Sequence, residues 1–300
     1  MVTRNFMATI NTSANIRANT AANTSGARRE RLYSTSPEAP EAAPEPAFIT
    51  WFPAKGRSSG ACVIVCPGGG YSQLMTSYEG AEICEWLATL GIAGAMLEYR
   101  MSGTGHRHPA PLNDARRAIR SVRARAGEFG LDRRKIGIMG FSAGGHLAAS
   151  AATHFDAGDP ASPDAVERES CRPDFAILAY AVIAFGEDFT HKGSQELLLG
   201  KGAPPALVAE MSAEKQVAPG TPPCFIFHTD ADTLVPAENS VAMYLALRRS
   251  GVPAELHIFK DGPHGVGLAA GKTGAEQWPR LLAAWLANIG AIAESQPSVI

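Results

Sequence analysis

One segment carries a residue that could act as a nucleophile. It reads Gly140-Phe141-Ser142-Ala143-Gly144, and it lies between an apolar run and an alanine-rich stretch. Between a strand and a helix, a Gly-x-Ser-x-Gly motif holds the serine on a sharp turn and exposes its hydroxyl above the sheet. Glycine at both flanking positions removes Cβ atoms that would clash in such a turn. The motif therefore predicts Ser142 as a nucleophile. The alternative is a tight turn whose serine merely caps the helix.

A serine hydroxyl near neutral pH needs a base, and the base needs a carboxylate to orient it. In doubly wound sheets, reactive groups collect after the carboxyl ends of strands. Asp230 and Asp232 both follow one predicted strand, and the pattern alone leaves both open. His264 follows the next predicted strand, in a loop shaped by glycine and proline. We expect His264 to be the base. We interpret His146, on the helix after Ser142, as a residue that packs there or supports the site from behind.

Backbone donors for an oxyanion could come from two places. Attack on an acyl carbonyl produces an oxyanion, which needs preorganised N–H groups. The N–H of Ala143 follows the nucleophile directly, and Gly68, Gly69 and Gly70 supply flexible backbone after an early apolar run. We predict Gly68, Gly69 and Ala143 as the donors. The alternative is a glycine-rich turn without chemistry.

The elements that must position these residues alternate along the chain. Short apolar runs typical of strands buried on both faces occupy 61–66, 92–99, 136–141, 175–180, 223–228 and 254–259. Helical patterns occupy 78–90, 112–129, 237–249 and 276–289. A further strand at 48–52 is expected at an edge of the sheet. This alternation predicts a mostly parallel sheet with helices on both faces.

Two further expectations concern the polar parts of these elements. Four arginines of the helix at 112–129, namely Arg116, Arg117, Arg120 and Arg123, are expected to lie mostly in solvent. Residues 181–222 contain only short helical patches, and about forty residues is long for a bare loop. We predict this segment to be a lid or specificity insertion.

The first 46 residues differ in composition from the rest. Residues 1–29 contain arginine but no aspartate or glutamate, and residues 36–46 form a Pro/Glu/Ala linker. We expect 1–46 to be a disordered tail and linker, and 47–300 to be the folded domain. The tail lacks the apolar region of a secretory signal, which favours a cytoplasmic location. Its acid-free composition is also similar to that of a transit peptide.

Composition limits the partners. The net charge of −2 gives no reason to expect nucleic acid, and no apolar run approaches the roughly 18 residues of a membrane span. Cys62 and Cys66 are spaced like half of a metal site, but no second pair accompanies them. Five cysteines, three of them in apolar runs, argue against a disulfide framework and favour a reducing compartment. No metal site is expected.

Six motifs together resemble α/β-hydrolase esterases, in particular the acetylxylan and feruloyl esterases. They lie at 67–71, 98–100, 114–120, 140–146, 232–236 and 263–265. The resemblance runs from about Phe48 to the C-terminus, and Pro67 stands where many esterases carry histidine. It implies an α/β-hydrolase fold, a Ser142–Asp232–His264 triad and no cofactor. It also implies removal of acetyl or other short acyl groups from sugars or small alcohols.

The resulting prediction is a serine carboxylesterase that works through an acyl-enzyme intermediate on a small-molecule or oligosaccharide ester. Tyr71 and the segment 181–222 are expected to shape substrate choice. One alternative is a peptidase or amidase of the same fold, although prolyl-oligopeptidase-type enzymes typically have tyrosine where this chain has Ala143. Another is a non-catalytic binding protein, which would usually lack a triad member. Oligomeric state is not predicted.

Overall fold

A computed structural model describes residues 26–33, 46–272 and 274–292 of the chain. Eight strands form one sheet in the order β1-β2-β4-β3-β5-β6-β7-β8. Their bounds are β1 Arg28–Arg31, β2 Phe48–Phe52, β3 Cys62–Cys66, β4 Ala93–Glu98, β5 Ile136–Phe141, β6 Phe175–Ala179, β7 Cys224–Thr229 and β8 Ala254–Phe259. Strand β2 pairs antiparallel with β1 and β4, and the pairs from β4 through β8 are parallel. The predicted, mostly parallel sheet is confirmed.

Seven α-helices accompany the sheet within the described residues. They are α1 Glu82–Thr89, α2 Ala110–Ala124, α3 Ser142–Thr153, α4 Lys192–Leu199, α5 Pro205–Glu210, α6 Glu238–Arg249 and α7 Trp278–Asn288. A π-helical turn, Ser77–Ala81, precedes α1. Short 3₁₀ turns lie at Ser102–Thr104, Ala213–Lys215 and Ala275–Gln277.

The core lies on both faces of the sheet because successive residues of a buried strand point to opposite sides. In β3, Ile64 packs into the core that contains apolar residues of α2, α3 and α6. Its neighbours Val63 and Val65 pack into the core that contains α1 and α7. All five residues of β3 are buried. Helices therefore cover both faces, as the continuous apolar runs of the strands predict.

The structure corrects the expectation for the first 46 residues at one place. Residues 28–31 were expected in the disordered tail but form β1, so β2 is not an edge strand. The sequence Arg-Arg-Glu-Arg has no apolar alternation, and its contacts are polar: Arg29 pairs with Glu98 at 2.6 Å, and Glu30 accepts from the Trp51 indole at 2.9 Å. The rest of the predicted tail, 1–25 and 34–45, lies outside the described residues.

A second correction concerns the arginines of α2. Arg117, Arg120 and Arg123 are buried rather than in solvent. A segment between α3 and β6 covers them with carboxylates: Arg117 lies 2.6 Å from Asp164, and Arg123 lies 3.0 Å from Asp174. Buried guanidinium groups require such partners because their desolvation is costly.

The segment 181–222 is packed against the domain rather than extended from it. Its first residues are buried, and Asn239 of α6 accepts hydrogen bonds from the N–H groups of Ile183 and Ala184 at 2.9 and 3.1 Å. Helices α4 and α5 follow, and His191 caps the N-terminus of α4. This arrangement brings one side chain of the segment, His191, to the site described next.

Candidate active site

Ser142 occupies a strained turn between β5 and α3. Strand β5 ends at Phe141, α3 begins at Ser142, and the φ angle of Ser142 is +52°. A Cβ atom on Gly140 would lie 2.0 Å from the Gly144 carbonyl oxygen, so no other residue fits there. The Ser142 carbonyl accepts from Val182 N–H at 3.0 Å, which fixes the turn from the far side. The glycines therefore permit a backbone that aims the serine hydroxyl away from the sheet.

His264 brings an imidazole to this hydroxyl from the loop after β8. Its Nε2 lies 2.8 Å from Ser142 Oγ, and its Nδ1 lies 2.6 Å from Asp232 Oδ2. An ionised carboxylate can only accept, so Nδ1 carries the proton and the Nε2 lone pair faces the serine. The three residues, far apart in sequence, form one continuous hydrogen-bonded chain.

Asp232 is held ionised in the loop after β7. Its Oδ1 accepts from the N–H groups of Leu234 and Val235 at 3.0 and 2.9 Å. Burial raises the pKa of Asp232, but hydrogen bonding from His228, His264 and the Val235 N–H outweighs burial and holds this pKa well below its usual range. The competing Asp230 is exposed to solvent. Of the two aspartates that the sequence left open, the structure brings Asp232 to His264.

The predicted oxyanion donors are only partly available. Gly68 N–H already donates to the Glu79 carboxylate at 2.9 Å, which corrects the expectation for Gly68. Gly69, at φ +126°, lines the cavity beside Ser142, and among the described residues its N–H has no hydrogen-bond partner. Ala143 N–H lies in the first turn of α3, where N–H groups lack a partner within the helix. Gly69 and Ala143 are thus the two predicted donors that stay free.

A cavity of about 250 Å³ opens over Ser142 and His264. It is smaller than the roughly 300–1,000 Å³ of cavities that hold drug-sized ligands. Besides the predicted site residues and Gly70 of the glycine loop, the lining includes Gln73, Met75, Tyr78, Glu79, His191 and Leu234. Leu234 lies in the 232–236 motif, but no motif marks the other five, because they come from separate segments that meet only in the fold.

Tyr71 does not line this cavity, contrary to the prediction. It is 1% exposed, and its hydroxyl lies 2.8 Å from His146 Nδ1 inside the domain. His146 Nε2 lies 2.7 Å from the Met211 carbonyl oxygen, which can only accept, so Nε2 carries the proton. Tyr71 therefore donates to His146, and its side chain points away from the substrate side. The interpretation of His146 as a packing residue agrees with its complete burial.

The described residues offer neither a metal site nor a membrane span. No group of three or more His, Cys, Asp or Glu side chains there is arranged to hold a metal ion. Among the same residues, no helix is both long and apolar enough to cross a membrane.

The sheet order, the serine elbow after β5, and the aspartate and histidine loops after β7 and β8 define an α/β-hydrolase fold. The particular family follows from a family model: BD-FAE matches residues 50–247, about two thirds of the chain. The protein belongs to the BD-FAE family.

Two curated relatives and one solved structure are similar to this chain. The chain is 36% identical over 237 residues to an acetylxylan esterase of Xylanibacter ruminicola, covering 78% of this chain and 46% of that protein. It is 39% identical over 210 residues to endo-1,4-beta-xylanase B of Butyrivibrio fibrisolvens, covering 69% of this chain and 33% of that protein. The chain thus spans a third to a half of these curated relatives.

The solved structure is similar over nearly its whole length. The crystal structure of an acetyl ester-xyloside bifunctional hydrolase from Caldicellulosiruptor lactoaceticus superposes with a TM-score of 0.84 at 41% identity. The match covers 89% of this chain and 97% of that one.

Proposed function

We propose that this protein is a serine carboxylesterase that removes short acyl groups, acetyl above all, from sugars or other small alcohols. The observation that carries the proposal is the hydrogen-bonded chain from Ser142 through His264 to Asp232 at the edge of a small cavity. The names of the relatives, an acetylxylan esterase and an acetyl ester-xyloside hydrolase, support the acetyl and sugar specificity.

Acylation begins when Ser142 Oγ attacks the ester carbonyl carbon and its proton moves to His264 Nε2. Asp232 stabilises the imidazolium that forms. The carbonyl oxygen becomes an oxyanion, which accepts hydrogen bonds from Gly69 N–H and Ala143 N–H. The bond to the alcohol oxygen then breaks, and His264 returns the proton to the leaving alcohol. The acyl group remains on Ser142 as an acyl-enzyme.

Deacylation repeats these steps with water. His264 Nε2 takes a proton from water as its oxygen attacks the acyl carbonyl, and the same N–H groups hold the second oxyanion. Breaking the bond to Ser142 Oγ releases the acid, and His264 reprotonates the serine. Besides the ester and water, the steps draw on side chains and backbone of this chain.

The cavity favours a small acyl group. At about 250 Å³ it must hold the acyl chain and part of the alcohol at the same time. Met75, Tyr78, His191 and Leu234 line it together with the catalytic residues. His191 Nδ1 accepts from Ser194 N–H at 3.3 Å, so its proton lies on Nε2, a donor for a sugar hydroxyl. His191 is our candidate for the residue with which the 181–222 segment contacts the alcohol.

The decisive experiment is hydrolysis of p-nitrophenyl acetate by the wild type and Ser142→Ala. The matched control is Ser150→Ala, the same change on the same helix, at a buried hydroxyl with no hydrogen-bond partner in the part of the chain that the structure describes. We expect Ser142→Ala to abolish turnover and labelling by a fluorophosphonate, and Ser150→Ala to keep both. Full activity in Ser142→Ala would overturn the proposal.

A substrate panel then tests the specificity. It compares p-nitrophenyl esters of increasing chain length, acetylated xylo-oligosaccharides, methyl ferulate and an aminoacyl anilide. We expect kcat/KM to fall as the acyl chain lengthens and the anilide to be a poor substrate. Faster cleavage of the anilide than of the acetyl esters would instead assign an amidase.

We also propose a reducing, cytoplasmic location. In support, the five cysteines are all free and buried in the part of the chain that the structure describes. Cell fractionation with an antibody to the native protein tests this, and recovery in the medium would contradict it.

A further inference from the structure

Glu79 is a buried carboxylate beside the serine elbow that the chemistry above does not use. It lies on the π-helical turn Ser77–Ala81, is 1% exposed, and contributes to the lining of the cavity. Both of its oxygens accept hydrogen bonds. Oε2 accepts from Gly68 N–H at 2.9 Å, and Oε1 accepts from the Tyr180 hydroxyl at 2.8 Å. Burying a carboxylate is costly unless it is hydrogen-bonded. The hydrogen bonds to both oxygens of Glu79 therefore point to a role for this side chain in the site.

These contacts link two loops of the active site. Gly68 directly precedes Gly69, and a Cβ on Gly68 would lie 2.9 Å from Ser142 Cβ, so the glycine loop touches the serine. On the other side, the Tyr180 hydroxyl accepts from Gly267 N–H at 3.0 Å, three residues beyond His264. The Tyr180 ring also meets the His264 ring edge-on, with centroids 5.2 Å apart. One carboxylate thus connects the donor loop to the histidine loop through one phenol.

Glu79 holds its two partners in a buried setting. Burial raises the pKa of Glu79, and the hydrogen bonds from Tyr180 and Gly68 and the nearby His264 oppose this only in part. Removing either hydrogen-bond donor would leave a buried carboxylate oxygen without a partner, which is costly. The two loops are therefore tied to the same carboxylate.

We propose that Glu79 is a positioning residue of the esterase: its two hydrogen bonds hold the Gly69 donor loop and the His264 loop in place relative to each other. This proposal rests on the proposed function. It predicts a loss of kcat with little change in KM, which separates it from a simple packing role.

The test is the isosteric variant Glu79→Gln, with Glu214→Gln as matched control. Glu214 is also a part-buried carboxylate with a raised pKa, but it bonds Ser212 in the 181–222 segment. We expect Glu79→Gln to lower kcat by about 10- to 100-fold, below the roughly 10²–10³-fold loss of an oxyanion donor, with KM within about two-fold.

A second variant, Tyr180→Phe, keeps the proposal testable if Glu79→Gln folds poorly. It removes the phenol oxygen that joins Glu79 to Gly267 but keeps the Glu79 side chain. We expect a lower kcat with little change in KM. The proposal is overturned if Glu79→Gln behaves like Glu214→Gln in kcat and KM, or if Tyr180→Phe retains full kcat. Activity of Ser142→Ala would instead reject the proposed function, so the two failures are distinguishable.

Discussion

Two histidines lie close to Ser142 and have opposite properties. His146 is on α3, four residues after the serine, and is completely buried between the Tyr71 hydroxyl and the Met211 carbonyl, with its ring stacked on Phe185. His264 comes from a distant loop, is partly exposed, and lies between Asp232 and Ser142. Proximity in sequence places the first near the serine, but only the second contacts its hydroxyl.

The difference lies in the partners. Burial lowers the pKa of His146 to about 4, and the Met211 carbonyl opposes this only in part, so the ring stays neutral. Among the described residues, no carboxylate contacts its ring nitrogens to stabilise a proton. His264 has Asp232 behind it, and Asp232 stays ionised because His228, His264 and backbone N–H groups bind it. A histidine can act as a base when a carboxylate stabilises its protonated ring and its second nitrogen faces the proton that it must take. Its distance along the chain from the nucleophile does not decide this.

The largest expected effect comes from removing the carboxylate behind His264. Asp232→Asn should lower kcat by about 10⁴-fold, because an amide can donate to Nδ1 and favour the wrong imidazole tautomer. Steady-state hydrolysis of p-nitrophenyl acetate measures this. The matched control is Asp230→Asn, two residues earlier and exposed, which should retain wild-type kcat. Equal losses in both variants would contradict the assignment of Asp232.

Removing the other histidine should affect stability instead. His146→Ala leaves a cavity and deprives the Tyr71 hydroxyl and the Met211 carbonyl of their partner, at a cost of about 2–5 kcal/mol in the free energy of unfolding. Urea unfolding measures this loss, while kcat per folded molecule should change only a few-fold. A loss of kcat as large as that of Asp232→Asn, without a loss of stability, would show that the two histidines do not differ as described.

The neutral state of His146 also makes stability depend on pH. Its pKa is about 4 in the folded protein and near 6.5 when unfolded, so the unfolded chain binds more protons between these values. The contribution is therefore fully present above about pH 6.5 and is lost as the pH falls toward 4, by up to about 3 kcal/mol. Urea unfolding between pH 4 and 7 should give a smaller slope for His146→Gln than for the wild type. Identical slopes would contradict a neutral buried His146.

The smallest effect is expected at a third histidine, His191, which lines the cavity without contacting the serine chain. His191→Ala should raise KM for an acetylated xylo-oligosaccharide by about two- to ten-fold, the value of one hydrogen bond, and leave kcat nearly unchanged. The KM for p-nitrophenyl acetate, which has no sugar hydroxyl, should change less. Equal changes for both substrates would argue against a contact between His191 and the alcohol.

Corrections to the sequence-based expectations share a physical cause. Strand β1 was missed because Arg28–Arg31 lacks apolar alternation; ion pairs and the Trp51 indole, distant in sequence, accompany its pairing with β2. The arginines of α2 were assigned to solvent because the carboxylates that cover them follow more than thirty residues later. Gly68 was counted as a donor although Glu79 already occupies its N–H. In each case the structure depends on a hydrogen-bond or ion-pair partner from another segment of the chain. No local sequence pattern predicts such a partner.

The amino-acid sequence by itself determined the alternating strands and helices and the strained serine turn, because apolar periodicity and glycine spacing act locally. It also indicated which loops carry the aspartate and the histidine, since both follow strands of one parallel sheet. Only the tertiary structure decided which groups meet: that Asp232 rather than Asp230 contacts His264, that Tyr71 points inward to His146, and that Glu79 joins two loops. Hydrogen bonds select partners by distance and direction, and these become defined only when the loops are packed against one another.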